Sequence, residues 1–133
     1  DTGSYAPGEG HPQIAGSFPR YLRKMVIERG ELSWEQAIAH TTLLPAQTMG
    51  LGRKGRLRAG MDADLLVFDP EKICDRADFP GLGRPDAAPE GIRFVIVSGE
   101  IAAENGRATG VMAGKTLDSF DFIHSSRRAM AGD

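Results

Sequence analysis

The sequence is poor in cysteine, in long apolar runs and in excess charge, and each shortage excludes a class of protein. Its one cysteine, Cys74, can form no internal disulfide and excludes a zinc site built from several cysteines. No apolar stretch approaches the roughly 18 residues that a membrane-spanning helix needs. Sixteen basic against eighteen acidic side chains give a net charge of −2, which argues against nucleic acid or an anionic membrane as a partner. We therefore expect a cytoplasmic protein.

The composition is that of an ordinary globular domain. Hydrophobic residues make up 41% and charged residues 26% of the 133 positions, which is enough for one domain with a modest core. The chain opens with DTGSYAPGEGHPQ, which carries no initiator methionine and no signal of regular structure. We interpret this opening as a start in the middle of a loop, as in a piece of a longer protein.

The first half of the sequence predicts helices. Residues 1–16 are rich in glycine and predict a loop. Ser17 is a suitable N-cap, with Pro19 in the first turn and Gly30 as the stop. Apolar residues recur between them at helical spacing and predict one buried face, made of Phe18, Tyr21, Leu22, Met25 and Val26.

A second helix and a helical turn follow. The stretch Ser33-Trp34-Glu35-Gln36 forms a capping box, and the helix that it starts runs to about Thr41. Thr42 then predicts a further cap, followed by a short helix that begins at Pro45 and ends at Gly50.

The second half of the sequence predicts a small antiparallel sheet. Ser98-Gly99 and Asn105-Gly106 predict two tight hairpin turns. Residues 70–91 hold four of the eight prolines and predict a long irregular excursion, which typically has a functional reason or wraps a neighbour. Residues 118–133 predict a frayed tail. The predicted strands are Arg56–Arg58, Asp64–Phe68, Ile92–Val97, Ile101–Glu104 and Arg107–Val111. The result is an α+β fold of two helices, a helical turn and a small antiparallel sheet.

Two carboxylates, Asp62 and Asp64, stand directly before an apolar run and raise the question of a metal site. A metal would require histidines or further carboxylates to converge with them, yet no histidine lies within twenty residues of either. We favour the alternative, in which Asp62 belongs to a turn and Asp64 ends the solvated stretch before a buried strand. The basic residues at positions 53, 54, 56 and 58 are interpreted as a solvated strand edge.

The remaining candidates for chemistry are isolated. His11, His40 and His124 show none of the paired spacings of metal ligands, and we favour structural roles except for His11, which precedes Pro12 in the glycine-rich loop and suits the lining of a cleft. Cys74 has no adjacent histidine, and no serine lies in a nucleophile elbow. From the residues alone, this is an α+β domain without a self-sufficient active site.

Four stretches nevertheless resemble a known family in their order. These are HPQIAGSFPRYL, LSWEQAIAHTTLLPAQTMGL, RKGRLRAGMDADLLVFDP and GIRFVIVSGEIAAENGRATG. They resemble the C-terminal part of amidohydrolases, most closely the D-aminoacylase (N-acyl-D-amino-acid deacylase) branch. The resemblance covers roughly residues 1–117. It implies that residues 1–50 are the last loop and helices of a metal-dependent (β/α)₈ barrel, that residues 51–117 are the C-terminal part of a β-sandwich, and that DADLLVFD is a structural strand.

The resemblance also implies roles for three residues. Asp1 occupies the place of an aspartate that takes a proton from a metal-bound water and passes it to the leaving nitrogen, as barrel chemistry at the ends of strands requires. His11 and Gln13 would line the substrate mouth. Many family members carry H-P-R here, with an arginine associated with the substrate carboxylate, so Gln13 departs from the usual acyl-D-amino-acid preference.

The metal ligands of the family come from earlier strands. The resemblance therefore implies zinc in the full-length protein and no catalytic metal on this chain alone. We expect the full-length protein to hydrolyse a linear amide, that of N-acyl-D-amino acids or a related amide. The isolated chain should be inactive and should self-associate through exposed edges and faces. The alternative is a non-catalytic structural or oligomerisation module.

Overall fold

The computed structural model describes residues 5–117, and Asp1, His124 and the predicted tail at 118–133 lie outside them. Within the described range, three helices precede a four-stranded antiparallel sheet, as the predicted α+β class requires. None of these helices is long and apolar enough to cross a membrane. The elements are α1 (Gln13–Leu22), a π-helical segment (Arg23–Glu28), α2 (Trp34–Thr41), α3 (Leu43–Thr48), β1 (Leu65–Phe68), β2 (Ile92–Val97), β3 (Glu100–Glu104) and β4 (Arg107–Ala108).

Helix α1 begins earlier than predicted, and Ser17 is not its cap. Pro12 occupies the N-cap position with a φ of −60°, which suits a helix start, while Pro19 lies inside the helix instead of in its first turn. Proline has no N–H to donate, and the helix widens into the π-helical segment soon after it. Gly30, at φ +61°, follows the end of the helical stretch as predicted.

The predicted apolar face of α1 is only partly buried. Leu22 is 5% exposed and lies in the core, and Tyr21 and Val26 pack against that core. Phe18 is 65% exposed, contrary to the prediction, and it is not among the partly buried side chains that pack against the core.

The capping box of α2 is confirmed. Ser33 Oγ accepts a hydrogen bond from the Gln36 backbone N–H at 3.3 Å, and Gln36 Oε1 accepts one from the Ser33 N–H at 2.9 Å. Helix α3 begins at Leu43, not at Pro45, and the Thr42 side chain does not cap it. The Thr42 hydroxyl instead donates to the carbonyl of Ile38 at 2.7 Å.

The sheet is a meander with strand order β1-β2-β3-β4. Both hairpin turns are confirmed, because Ser98 and Gly99 have φ of 51° and 85° and Asn105 and Gly106 have φ of 48° and 77°. Positive φ at both central residues is the conformation whose twist matches antiparallel strands.

Two strand predictions are wrong. Arg56–Arg58 forms no strand, because it has no pairing partner in the sheet. The last strand ends at Ala108 instead of Val111, where the Thr109 hydroxyl donates to the Ile101 carbonyl at 2.6 Å and Gly110, at φ +87°, leaves the extended conformation.

The core lies between the helices and the excursion 70–91. Leu22, Ala37 and Ile73 form its buried centre, with Ala37 and Ile73 fully inaccessible to solvent. The partly buried side chains packed against this centre are Tyr21, Val26, Leu32, Trp34, Phe68 and Ile92. The expected burial of strand β1 is wrong along much of its length, since Leu66 is 46% and Val67 41% exposed.

Candidate functional site

The loop of residues 5–12 leads into α1 and carries the site residues that the sequence predicted there. A turn within it is closed by a hydrogen bond from the Glu9 N–H to the Ala6 carbonyl at 3.0 Å. Gly10 has a φ of +97°, and a Cβ at this position would lie 2.8 Å from Cδ2 of Tyr5. The Tyr5 ring therefore covers Gly10, and only glycine fits beneath it.

His11 and Gln13 lie together at the N-terminus of α1. The backbone N–H of Gln13 donates to Nδ1 of His11 at 3.1 Å, which gives one of the otherwise unpaired N–H groups at the helix start an acceptor. Because Nδ1 accepts, the proton of the neutral imidazole resides on Nε2. Both residues are exposed, so a small molecule can reach them. Asp1 lies outside the described residues.

The ring of His11 also contacts Phe79, a residue of the excursion. Its centroid lies 4.9 Å from that of Phe79, and the two rings are nearly perpendicular at 85°. Such edge-to-face contacts restrict the plane of a ring as well as its position. His11 is therefore oriented both by its own helix and by a residue far along the chain.

Asp86, also on the excursion, binds the same loop. Its Oδ2 accepts a hydrogen bond from the backbone N–H of Gly8 at 2.9 Å. The Arg84 guanidinium donates to both carboxylate oxygens, from Nε to Oδ1 at 3.0 Å and from Nη2 to Oδ2 at 2.9 Å. The Arg84 hydrogen bond first, and then the Gly8 N–H, hold the pKa of Asp86 below its ordinary value, so the carboxylate is charged at neutral pH.

A further contact fastens the excursion to α1. Arg20 and Asp75 form an ion pair at 2.6 Å, and Asp75 is only 13% exposed. This carboxylate raises the pKa of Arg20, through their hydrogen bond first. Beside the pair, a Cβ on the buried Gly16 would lie 3.4 Å from the Cβ atoms of Ala77 and Asp75, so the backbone of α1 and the excursion pack closely.

The two carboxylates that precede β1, Asp62 and Asp64, form ion pairs with basic side chains of the same chain. Asp62 pairs with Arg53 at 2.8 Å and with Lys54 at 3.3 Å, and Lys54 also binds Asp64. Asp64 Oδ1 accepts the backbone N–H of Ser98 at 2.9 Å. Arg53 chiefly lowers the pKa of Asp62, and Lys54 chiefly lowers that of Asp64. Both carboxylates thus have structural partners, although the strand that follows them is less buried than expected. Arg53 and Lys54 are counter-ions of these carboxylates and do not line a strand edge.

The part of the chain that the structure describes does not fit a catalytic zinc ion. Among residues 5–117, no three histidines, cysteines or carboxylates are grouped so that they could hold a metal. His40 has a different partner, the Tyr21 hydroxyl, at 2.8 Å from Nδ1. No chemical step is therefore assigned to a metal on these residues.

Sequence reasoning missed Asp86 and Phe79 because their contacts with the loop join residues far apart in the chain, 78 positions for Asp86 and Gly8. It missed Arg84 because that residue contacts Asp86 and not the loop. The only signal was the length of the excursion that carries them. A model of the amidohydrolase family matches residues 1–103 of the chain.

The chain belongs to the amidohydrolase family.

Relatives of this family member include an N-acyl-D-glutamate deacylase from Alcaligenes xylosoxydans xylosoxydans. That protein is 44% identical over 89 residues, which are 67% of this chain and 18% of the relative. A structure of D-aminoacylase, described for its binuclear metal centre, superposes with a TM-score of 0.72 at 36% identity and covers 78% of this chain and 21% of that one.

A second solved structure is that of an N-acyl-D-glutamate deacylase from Bordetella bronchiseptica, complexed with zinc and a phosphonate inhibitor. It superposes with a TM-score of 0.65 at 37% identity, over 78% of this chain and 22% of that one. Within the amidohydrolases, the chain thus falls in the D-aminoacylase branch. It spans about a fifth of the length of the relatives that it matches.

Proposed function

We propose that this chain is the C-terminal part of a metal-dependent amidohydrolase that hydrolyses the linear amide of N-acyl-D-amino acids. The observation that carries the proposal is the family match over residues 1–103, together with relatives that are deacylases of N-acyl-D-amino acids. Zinc occurs in one of these relatives, and the described residues hold no set of ligands for it. The metal would therefore be held by residues of the full-length protein other than the described residues 5–117.

The same proposal accounts for the two halves of the fold. Residues 1–50 would be the last loop and helices of the barrel, and residues 51–117 the C-terminal share of the β-sandwich. The core of Leu22, Ala37 and Ile73 joins these halves, since its first two members come from the helices and the third from the excursion. It would serve as the contact between barrel and sandwich.

His11 and Gln13 would line the substrate mouth. His11 offers an N–H on Nε2, because its Nδ1 already accepts the Gln13 backbone N–H. Gln13 is neutral and offers an amide. A substrate carboxylate or acyl oxygen would thus meet hydrogen-bond donors at these two positions, without a full positive charge.

Asp1 would be the general base and then the general acid. It would take a proton from the attacking water as oxygen bonds to the amide carbonyl carbon. It would then deliver that proton to the nitrogen as the carbon–nitrogen bond breaks, leaving a carboxylate and a free amine. Support for this role comes from the resemblance of DTGSYAPGEGHPQ to the corresponding stretch of the family. Asp1→Asn in the full-length protein should lower kcat by a factor of about 10²–10⁴ and change KM little.

The test compares this chain with its full-length protein in the hydrolysis of N-acetyl-D-amino acids with added Zn²⁺. We expect release of the free amino acid by the full-length protein only. Activity of the 133-residue chain would contradict the proposed division of the site. Inactivity of the full-length protein on all N-acyl-D-amino acids, with turnover of another amide, would overturn the substrate class.

A matched pair of variants tests His11. Asn at position 11 keeps a side-chain oxygen that accepts the Gln13 N–H, whereas Ala removes both this acceptor and the Nε2–H. If the imidazole contacts substrate, both variants raise KM, and only the alanine variant also lowers the melting temperature. An unchanged KM in both would remove His11 from the site.

A non-catalytic module is the second candidate, and the exposed apolar surface of the sheet favours it. Leu66, Val67 and Ile101 are each more than 40% exposed, which suits association with another layer or another copy. Sedimentation measures the oligomeric state of the isolated chain, and we expect oligomers at micromolar concentration. A full-length protein with no hydrolase activity would favour this second candidate. The cytoplasmic location and the substrate as a small-molecule partner stay predictions.

A further inference from the structure

We propose that Asp86 is a positioning residue of the substrate site, which it serves by holding the loop of residues 5–12 against the excursion 70–91. This inference rests on the proposed function, since it assigns to a residue of the sheet half the task of orienting site residues in the helical half. Among residues 5–117, the hydrogen bonds of the Asp86 carboxylate go to Gly8 and Arg84, and none goes to His11 or Gln13, so Asp86 would act through the loop.

The contact is built to hold one geometry. Arg84 binds both oxygens of Asp86, which fixes the plane of the carboxylate, and one of those oxygens then accepts the Gly8 N–H at 2.9 Å. Pro85, between the two side chains, is fully buried and anchors their backbone in the protein. Asp86 is thus a rigid acceptor presented to a loop that has few internal hydrogen bonds of its own.

A second residue of the excursion contacts the site residue His11 directly. Phe79 lies edge-to-face with His11, and two backbone hydrogen bonds to its carbonyl, from Leu82 at 2.9 Å and Gly83 at 3.0 Å, close the turn that presents it. Because Nδ1 accepts the Gln13 N–H and the ring lies nearly perpendicular to that of Phe79, the imidazole has a defined plane and a defined tautomer. Asp86 and Phe79 therefore act on the same loop from two points of one segment.

The position of these contacts separates them from the core. Asp86, Gly8 and Arg84 meet at the surface, whereas the buried cluster of Leu22, Ala37 and Ile73 is formed by other residues. Loss of the Asp86 carboxylate should therefore release the loop and leave the fold in place. A merely structural residue would behave in the opposite way, lowering stability without changing how substrate is bound.

The experiment uses the full-length protein and compares Asp86→Ala with Glu71→Ala. Glu71 lies on the same excursion and is exposed, and its carboxylate has no hydrogen bond or ion pair within residues 5–117, so the control removes the same charge without touching the loop. For Asp86→Ala we expect KM for N-acetyl-D-amino acids to rise about tenfold, the factor that corresponds to one lost hydrogen bond, with kcat within about twofold. Glu71→Ala should change neither.

Hydrogen exchange gives a readout that does not depend on activity. Peptides from residues 5–13 should exchange faster in Asp86→Ala than in the wild type, while peptides from residues 92–104 should be unchanged. Arg84→Gln, which leaves the acceptor but frees its plane, should give an intermediate effect on both exchange and KM. Asp86→Asn, which keeps one oxygen acceptor, should also fall between the wild type and the alanine variant.

The outcomes distinguish this inference from the proposed function. If the wild type hydrolyses N-acyl-D-amino acids but Asp86→Ala leaves KM and the exchange of residues 5–13 unchanged, the positioning role is wrong and the function stands. If the wild type has no such activity but the exchange changes as expected, the loop contact stands and the function is wrong. A lower melting temperature with unchanged KM would show a structural role only.

Discussion

The irregular excursion 70–91 and the regular sheet differ in a way that reverses the usual association of order with burial. The excursion contains Ile73, which is fully buried, and also Ala77 at 4% exposure and the inaccessible Pro85. In the strands β1 to β4, by contrast, every residue retains partial or greater exposure. The segment without strands or helices thus contributes more buried residues to the described structure than the four strands do.

The difference shows that hydrogen-bonded regularity and packing are separate properties. The sheet satisfies its backbone groups through the ladder and needs a second layer to bury its faces. The excursion satisfies its own groups through contacts such as the Cys74–Glu90 bridge while it packs on α1. A sheet without a covering layer leaves apolar side chains such as Leu66 available, whereas the excursion already has its partner.

The largest expected effect on stability comes from shortening one side chain in the excursion and one in the sheet. Ile73→Ala removes a fully buried side chain and should lower the free energy of unfolding by about 2–5 kcal/mol. Leu66→Ala removes a side chain that is 46% exposed and should cost about 1 kcal/mol or less in the isolated chain. Denaturant unfolding, followed by the fluorescence of Trp34, the only tryptophan, measures both at one protein concentration.

Equal costs for the two variants would break the comparison, because they would mean that the outer sheet face is covered in solution. The same two variants, Ile73→Ala and Leu66→Ala, should also be measured in the full-length protein. There, a larger cost for Leu66→Ala than in the isolated chain would show that another segment lies on the sheet.

A smaller but still large effect is expected where the excursion rejoins the sheet. Gly91 has a φ of +80°, and a Cβ there would lie 2.6 Å from the backbone N of Ile73. Gly91→Ala should therefore cost roughly 2–4 kcal/mol, from strain and overpacking together. Gly60→Ala is the matched control, because Gly60 has a similar φ of +86° with open space around it, and it should cost about 1–2 kcal/mol. Thermal unfolding of both variants gives the measurement, and equal costs would contradict the close packing.

The smallest expected effect is the pH dependence of the contact between residue 54 and the start of β1. Lys54 and the Ser98 N–H lower the pKa of Asp64, so its contribution to stability is present above the ordinary value of about 3.9 and is lost as the pH falls through the lower folded-state value. Because Asp64 is 35% exposed, we expect no more than about 1 kcal/mol.

The variant Asp64→Asn should remove this part of the acid sensitivity and leave the remainder. Unfolding of both proteins between pH 7 and pH 2 provides the measurement. On the alkaline side the same pair acts with opposite sign, because Asp64 chiefly raises the pKa of Lys54 and the contribution is lost only above the ordinary lysine range. A wild type whose acid unfolding matched that of the variant would contradict this account.

Local chemistry made much of the fold predictable. The capping box at Ser33 and the turns at Ser98-Gly99 and Asn105-Gly106 depend on neighbouring residues alone, and each occurs as predicted. The start of α1 was mispredicted because Ser17 and Pro19 carry cap signals that the Pro12 start overrides. Arg56–Arg58 has strand-like spacing but no neighbouring strand to pair with. Whether a segment finds such a neighbour depends on the whole fold and cannot be seen in the segment alone.

The candidate site was predictable only in part, for a related physical reason. His11 and Gln13 are neighbours in sequence, so a resemblance in one stretch named both as candidates. Phe79 contacts His11 and Asp86 contacts Gly8 of the same loop, and no periodicity or spacing links positions so far apart in the chain. The length of the excursion indicated a functional reason for it, but only the structure shows that it contacts the loop of residues 5–12.

The meander order of the strands has a consequence for the kinetics of folding. Strands β2, β3 and β4 are joined by two-residue turns, so residues 92–108 can pair within microseconds of collapse. Strand β1 must wait for closure of the chain between Phe68 and Ile92, a slower event that costs loop entropy. That closure, sealed by the Asp69 N–H to the Gly91 carbonyl at 2.7 Å, also brings Ile73 toward Leu22. We therefore expect the first strand and the core to form in one cooperative, rate-limiting step.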